Sequence, residues 1–337
     1  MIDVHFEDQS TKKFVIAEEA TVGELVKKIQ QKLYLECDAD SFALFEETVS
    51  GGHKIERFLR PEELCPRLTQ PSRFLFKKRF FFADNKEDPV TTHMEFIQIR
   101  EDVLRDRYIL TEREHLELAA IDLRVTFGSP DPTKHKAGFL INAKHLPRLL
   151  PENYIKMKKN EVWEKQLLEE YQRIAFEPIE SDFQGKVRYL ARLKELKPDY
   201  FGSVFYEATE LEIVEKVVKN RVPVLLAVNK NGIHTFRKPP ALASEKSSKI
   251  AFFSKKKDSN SDVPPQNILM RTNTFQEILG WAVHPPTHTF IYTVPSESEE
   301  GVRYSYESEL AGDIPDVCQE YVQQIIARTE DVEPPQE

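Results

Sequence analysis

The chain has 337 residues, more than one hydrophobic core usually organises, so two or three domains of about 100 residues each are expected. Hydrophobic residues make up 40% and charged residues 31%, which is enough apolar material for packed cores and too little bias for wholesale disorder. A net charge of −9 argues against a general nucleic-acid binder, which needs a basic face to displace counterions, and no apolar run approaches the roughly 20 residues that cross a bilayer.

Along the first 84 residues, Ile2, Val4 and Phe6 alternate as a half-buried strand should. Phe14 and Ile16 alternate again after a turn at Asp8 to Thr11, which makes a hairpin. Thr21 and Glu24 form a capping box that opens a helix carrying Val22, Leu25, Val26, Ile29 and Leu33 at helical spacing. Phe42 to Phe45 and Phe74 to Phe82 supply further strands, with a turn-rich stretch around Gly51 and Gly52 between them. Two strands, a helix and more strands begin a ubiquitin-like roll.

Residues 85–199 change to helical period. Thr111 with Glu114 caps one helix, whose face is Leu116, Ala119, Ala120, Leu123 and Phe127. Ser181 with Gln184 caps another, carrying Phe183, Val187, Leu190 and Ala191. Two more helices are expected near Thr92 to Arg105 and Val162 to Phe176. Over 200–330 strands return: Val204 to Thr209, Val222 to Asn229, Ile233 to Arg237, Ile278 to Val283, Phe290 to Val294 and Arg303 to Ser308. Asn231-Gly232 marks a tight hairpin and Pro285-Pro286 another turn. A closing helix capped by Asp313 carries Ile314, Val317, Cys318, Tyr321, Val322, Ile325 and Ile326 on one stripe. This plan is a pleckstrin-homology-like sandwich containing a Lys-, Ser- and Pro-rich loop at 238–266, and 331–337 read as an acidic tail.

A ubiquitin-like roll, a helical bundle and such a sandwich, in that order, resemble a FERM domain, an α+β three-lobed cloverleaf, over nearly the whole chain. Phe74-Leu75-Phe76-Lys77-Lys78-Arg79-Phe80-Phe81 resembles the strand leaving the first FERM lobe. Lys134-His135-Lys136-Ala137-Gly138-Phe139-Leu140 resembles the second lobe of talin. Phe201 to Tyr206 followed by Leu225 to Gly232 resembles the third lobe in the tails of unconventional, class-seven-like myosins. The resemblance implies an acyl-CoA-binding-protein-like second lobe and a module with no enzymatic activity. It also implies that the module links an actin-associated protein to membrane phosphoinositides and to cytoplasmic tails of cargo or adhesion receptors. The alternatives are a talin-like adhesion adaptor head and the regulatory FERM region of a kinase or phosphatase.

No glycine-rich phosphate loop of either spacing is present among the 11 glycines. His284 and His288 stand four apart, but Pro285 and Pro286 between them preclude the helix that would make them zinc ligands. Cys37 has nothing to orient it against His5 or His53 as a nucleophile. The cysteines Cys37, Cys65 and Cys318 are too scattered for a disulfide framework or a zinc site. No cofactor or metal is expected, and the expected location is cytoplasmic, peripheral at the plasma membrane or cell cortex.

Two basic stretches stand out in an acidic chain. Residues 144–165 hold six basic side chains against three Glu: Lys144, Arg148, Lys156, Lys158, Lys159 and Lys165. Residues 246–257 hold five Lys and no acid, among them Lys249, Lys255, Lys256 and Lys257 around Phe252 and Phe253. Each reads either as solvated surface or as a contact for acidic phospholipid; the resemblance to talin places the first on a lipid-facing surface. At about 1 kcal/mol per basic residue near an anionic leaflet, one patch attaches weakly and two on one body attach usefully. The partner-peptide groove is expected along Ile278, Leu279, Gly280, Trp281, Ala282 and Val283 beside Tyr321 and Ile325. There an open strand edge accepts an extended receptor or cargo tail. Trp281 followed by Ala282 is similar to talin, whereas Gly280 stands where the family carries a basic residue.

Overall fold

The alternation of the first residues produces β1 (Ile2–His5), which pairs antiparallel with β2 (Thr11–Phe14), with Ile2 opposite Phe14. The computed structural model describes residues 1–35, 39–50, 53–65, 72–82, 88–174, 179–214, 217–238, 267–297 and 301–330. Helix α1 (Val22–Leu33) starts at the capping box: Thr21 accepts from the Glu24 amide and Glu24 from the Thr21 amide. Its Val22, Leu25 and Ile29 are buried. Strands β3 (Phe42–Ser50), β4 (His53–Phe58) and β5 (Arg73–Lys78) complete a five-stranded sheet in the order β2-β1-β5-β3-β4, with β1 and β5 parallel. The stretch past Gly51 and Gly52, expected to be turns, is thus largely a strand, because β4 gains its register only from β3, Phe45 lying opposite Phe58. Gly51, Gly52 and Cys37 lie outside the described residues.

The helical lobe contains α2 (Pro89–Leu104), α3 (Glu112–Phe127), α4 (Phe139–Asn142), α5 (Glu152–Ile155), α6 (Asn160–Arg173) and α7 (Asp182–Leu196). Four long helices are those expected, and α4 and α5 are additions of a single turn. Helix α2 starts earlier than Thr92: Asp88 caps it through the Thr91 amide and Pro89 fills its first position, where no amide is needed. In α7 the expected face is rotated. Gly185, Tyr189, Leu190 and Leu193 are buried and Ala191 is exposed, since α7 packs between α2 and α3, with Tyr189 edge-on to Phe96 at 5.1 Å.

The third lobe is a seven-stranded sheet in the order β10-β11-β12-β6-β7-β8-β9. Its strands are β6 (Val204–Val214), β7 (Val217–Asn229), β8 (Gly232–Arg237), β9 (Ile268–Asn273), β10 (Gly280–His284), β11 (Thr289–Val294) and β12 (Val302–Glu307), and α8 (Asp313–Glu330) closes it. Strand β9 was not among the named expectations, and β6 and β7 run longer than expected as a projecting hairpin. Asp313 is the first residue of α8 and not its cap. Ile314, Val317, Cys318 and Tyr321 are buried as the stripe requires, but Ile326 is half exposed.

The lobes share cores and polar links. One apolar network joins the first sheet to the helices and reaches Phe236 of β8. Gly202, at φ +67, makes the turn into the third lobe; a Cβ there would stand 2.4 Å from Cβ of Phe81, so only glycine fits. The Gly202 amide donates to Tyr108 at 3.1 Å and the Ile109 amide to Tyr200 at 3.1 Å. Between the first and third lobes, Arg60 pairs with Asp316 at 2.6 Å and the Phe58 amide donates to Asp313 at 3.3 Å.

Candidate interaction surfaces

Strand β10 ends the third sheet. It pairs with β11 along one side, Trp281 opposite Tyr292 and Val283 opposite Phe290, and has no strand on the other among the described residues. In an antiparallel edge strand, alternate residues present amide and carbonyl groups outward. Helix α8 runs alongside this strand. Trp281 and Val283 turn inward as half-buried residues, whereas Gly280, Ala282 and His284 are exposed.

The eight expected groove residues divide into three groups. Ile278 and Tyr321 belong to the core beneath the groove, with Tyr321 fully buried. Phe80 and Phe82, both 5.1 Å from it, and Phe275, stacked at 6.4 Å, hold the Tyr321 ring. Phe275 also meets Trp281 edge-on at 6.3 Å, so Trp281 is seated on an aromatic stack that reaches under α8. The Leu279 amide is used on β11, donating to the Thr293 carbonyl at 2.9 Å, and so is not open to a guest. The Leu279 side chain, by contrast, is 68% exposed, and Ile326 on α8 is 50% exposed. Ile325 packs half-buried against the core. Around Gly280 a Cβ would meet nothing within 4 Å, so a side chain there would project into open space and its absence leaves the edge accessible. Phe275 has no period or motif to mark it and is found only through these contacts. The ring of His284 bonds Thr287 at 2.7 Å, at the turn beyond β10.

The basic residues of the second lobe sit on α4 to α6 and their connections. Lys144 is exposed and holds a left-handed backbone at φ 54. Arg148 is exposed too, its carbonyl accepting from Arg100 at 2.6 Å. Lys156 forms an exposed pair with Glu152 at 2.6 Å, Lys159 precedes α6 with its side chain exposed, and Lys165 lies a loose 3.9 Å from Glu169. Lys158 turns inward instead. It pairs with Glu112 at 2.5 Å and lies 4.7 Å from the centre of the Trp163 ring. Glu164, one of the acids interspersed in this stretch, is buried: it accepts from the amides of Gly138 and Leu140 at 2.7 Å each and from Ile141 at 3.2 Å, capping α4. The exposed face therefore keeps the same excess of three positive charges as the whole stretch, five basic side chains against Glu152 and Glu161. Lys249, Lys255, Lys256 and Lys257, with Phe252 and Phe253, lie outside the described residues. Among the described residues no helix is long and apolar enough to cross a membrane.

Residues 83–206 match the FERM central domain model, and residues 1–80 match an RA-like domain. The chain is 29% identical over 193 residues to FERM domain-containing protein C of Dictyostelium discoideum, covering 56% of this chain and 12% of that protein. It is 23% identical over 235 residues to Talin-B of Dictyostelium discoideum, covering 69% of this chain and 8% of that protein. It therefore spans about a tenth of the length of these relatives. Among solved structures it is similar to the human Myosin 7b C-terminal MyTH4-FERM domain in complex with the harmonin-a PDZ3 domain, with a TM-score of 0.63 and 17% identity, covering 96% of this chain and 60% of that one. The chain thus folds as the three-lobed FERM cloverleaf, carries a FERM central domain in its middle, and is related in sequence to talins and FERM proteins and in structure to a myosin VII MyTH4-FERM domain.

Proposed function

We propose that this chain is a non-catalytic FERM adaptor that links an actin-associated protein, an unconventional myosin tail, to phosphoinositide membrane and to cytoplasmic tails of cargo or adhesion receptors at the cell cortex. The observation that carries the reading is the edge of β10, unpaired among the described residues, with α8 packed beside it and the Leu279 side chain exposed next to it. An extended peptide added to that edge gains main-chain hydrogen bonds for affinity and apolar contacts for specificity. The exposed Lys144, Arg148, Lys156, Lys159 and Lys165 of the second lobe support the membrane half of the reading. A talin-like adhesion adaptor is the second reading, favoured by the Talin-B match over 69% of the chain.

The test is a panel of myosin-cargo and adhesion-receptor tail peptides titrated against the wild-type chain and Leu279→Lys. At least one tail should bind in the micromolar range, with chemical shifts moving in β10 and α8, and the substitution should weaken it about tenfold. Tails that bind with shifts confined to other surfaces would remove the assignment.

A further inference from the structure

A cavity of about 850 Å³ lies where the three lobes meet, a volume ordinary for a small-molecule site. One wall is the outer face of β3 and β4, with Phe45, Ile55 and Phe58. The facing wall is the start of β6, with Val204, Phe205 and Tyr206. Phe58, Ile55, Val204 and Phe205 are all only half buried, so the cavity leaves them apolar surface with nothing over it.

The cations in its wall each face a carboxylate, but Arg79 keeps unused donors. Lys77 donates to Glu56, Lys78 to Glu95, and Arg107 to Asp102 at 2.6 Å. Arg79 is 3% exposed, yet its Nε and Nη2 have no hydrogen-bond partner. Nη2 stands 3.0 Å from Glu320, off the hydrogen-bonding direction, and the guanidinium carbon lies over Phe58 at 3.3 Å from the ring centre. A buried cation left with unused donors costs free energy that an incoming anion would recover. Glu320, Asp313 and Asp316 all act on Arg79 electrostatically, so a polyanion is disfavoured there.

We propose that this interlobe cavity binds an amphipathic monocarboxylate of the fatty-acid kind, its carboxylate on Arg79 and its hydrocarbon between the Phe45, Ile55 and Phe58 wall and the Val204, Phe205 and Tyr206 wall. A planar carboxylate matches the guanidinium fork, and the apolar walls supply burial for the chain. The ligand would bridge the first and third lobes.

Arg79 also borders a second cleft of about 570 Å³ toward α1, which Ile55 does not line. The experiment is calorimetric titration with dodecanoate, dodecanol and inositol hexakisphosphate, each below any aggregation limit, against wild type, Arg79→Gln and Ile55→Trp. Dodecanoate should bind one to one, with dodecanol and inositol hexakisphosphate at least tenfold weaker. Both variants should lose at least tenfold in dodecanoate affinity. If Arg79→Gln does not fold, Ile55→Trp, checked for a wild-type melting temperature, decides together with the dodecanol comparison. No dodecanoate binding, equal affinity for dodecanol, or unchanged affinity in a folded Ile55→Trp protein would each overturn the proposal.

Discussion

The carboxamide of Gln98 on α2 closes a two-way bond with the backbone of Lys78 at the end of β5: the Lys78 amide donates to it at 2.9 Å and it donates to the Lys78 carbonyl at 2.8 Å. Both residues are buried, so a helix side chain here finishes the hydrogen bonding of a strand in the neighbouring lobe. Gln98→Leu leaves two backbone groups unsatisfied and should cost about 2–4 kcal/mol by equilibrium unfolding, at roughly 1–3 kcal/mol per stranded group. A loss below about 0.5 kcal/mol would show that the lobes are held elsewhere.

His115 on α3 is buried against Tyr154, ring centres 4.3 Å apart, and neither ring nitrogen has a hydrogen-bond partner. Burial first, and then the Lys197 ammonium, pushes its pKa down to about 3. The folded lobe holds the neutral ring while the unfolded chain protonates near pH 6.5. The stability due to neutral His115 is thus complete above pH 6.5 and drains as pH falls toward about 3, at up to roughly 1.4 kcal/mol per unit. His115→Phe should flatten that slope between pH 6 and 4 in urea unfolding; an unaltered slope would assign it to other groups.

Glu7 lies in a buried charge cluster between the first two lobes, with Arg105 at 3.3 Å and Lys77 at 3.9 Å. Burial, and then the Glu56 carboxylate, raises its pKa to about 7, while Lys77 and Arg107 hold Glu56 low. A carboxyl with a raised folded pKa favours the fold at low pH, and that favour is lost as pH climbs from about 4.5 through 7. Glu7→Gln should therefore be more stable than wild type at pH 8 by about 1 kcal/mol and lose that advantage at pH 5. Destabilisation at pH 8 would mean that Glu7 is held ionised by its cations.

The two expected lipid patches separate by mutation. Charge reversal of Lys156 and Lys159 should weaken sedimentation with phosphoinositide vesicles about tenfold at low salt and leave the melting temperature near wild type, because both side chains are exposed. Lys158→Glu should instead lower the melting temperature, since Glu112 and Trp163 lose their partner. Lys255, Lys256 and Lys257 changed together to Glu should also reduce vesicle binding. Full binding by both of these charge-reversal mutants would leave the membrane proposal without support.

Trp281→Ala should weaken capture of partner tails and leave vesicle binding intact. Because Trp281 rests on Phe275, the change should also cost about 2–4 kcal/mol of stability, so capture must be measured on protein shown to be folded. Wild-type capture by the folded variant would exclude this edge.

Features written in neighbouring residues were legible. The capping boxes at Thr21 and Thr111 and the Ser181 cap each form as their spacing demands. Pairings across the chain were not. The run Lys77, Lys78, Arg79 has the composition of a solvated surface, yet all three are buried, because Glu56, Glu95 and Glu320 wait for them on other elements. Strand β9 follows a Lys-, Ser- and Pro-rich stretch and takes its register from β8 alone, where Phe236 faces Leu269. Lys158 could not be told from Lys156 by composition, since only the fold brings Glu112 and Trp163 to one of them. Of the groove, the strand was readable, but not which of its side chains lie beneath it.

Helix α8 is an 18-residue rod, about 27 Å long, held at both ends. Its first turns are fastened to the first lobe through Asp313 and Asp316, Tyr321 is held between Phe80 and Phe82, and near its end Arg328 lies 4.7 Å from the centre of the Phe82 ring. The helix that borders β10 is therefore a wall fixed at both ends, against which a guest on the strand edge would rest.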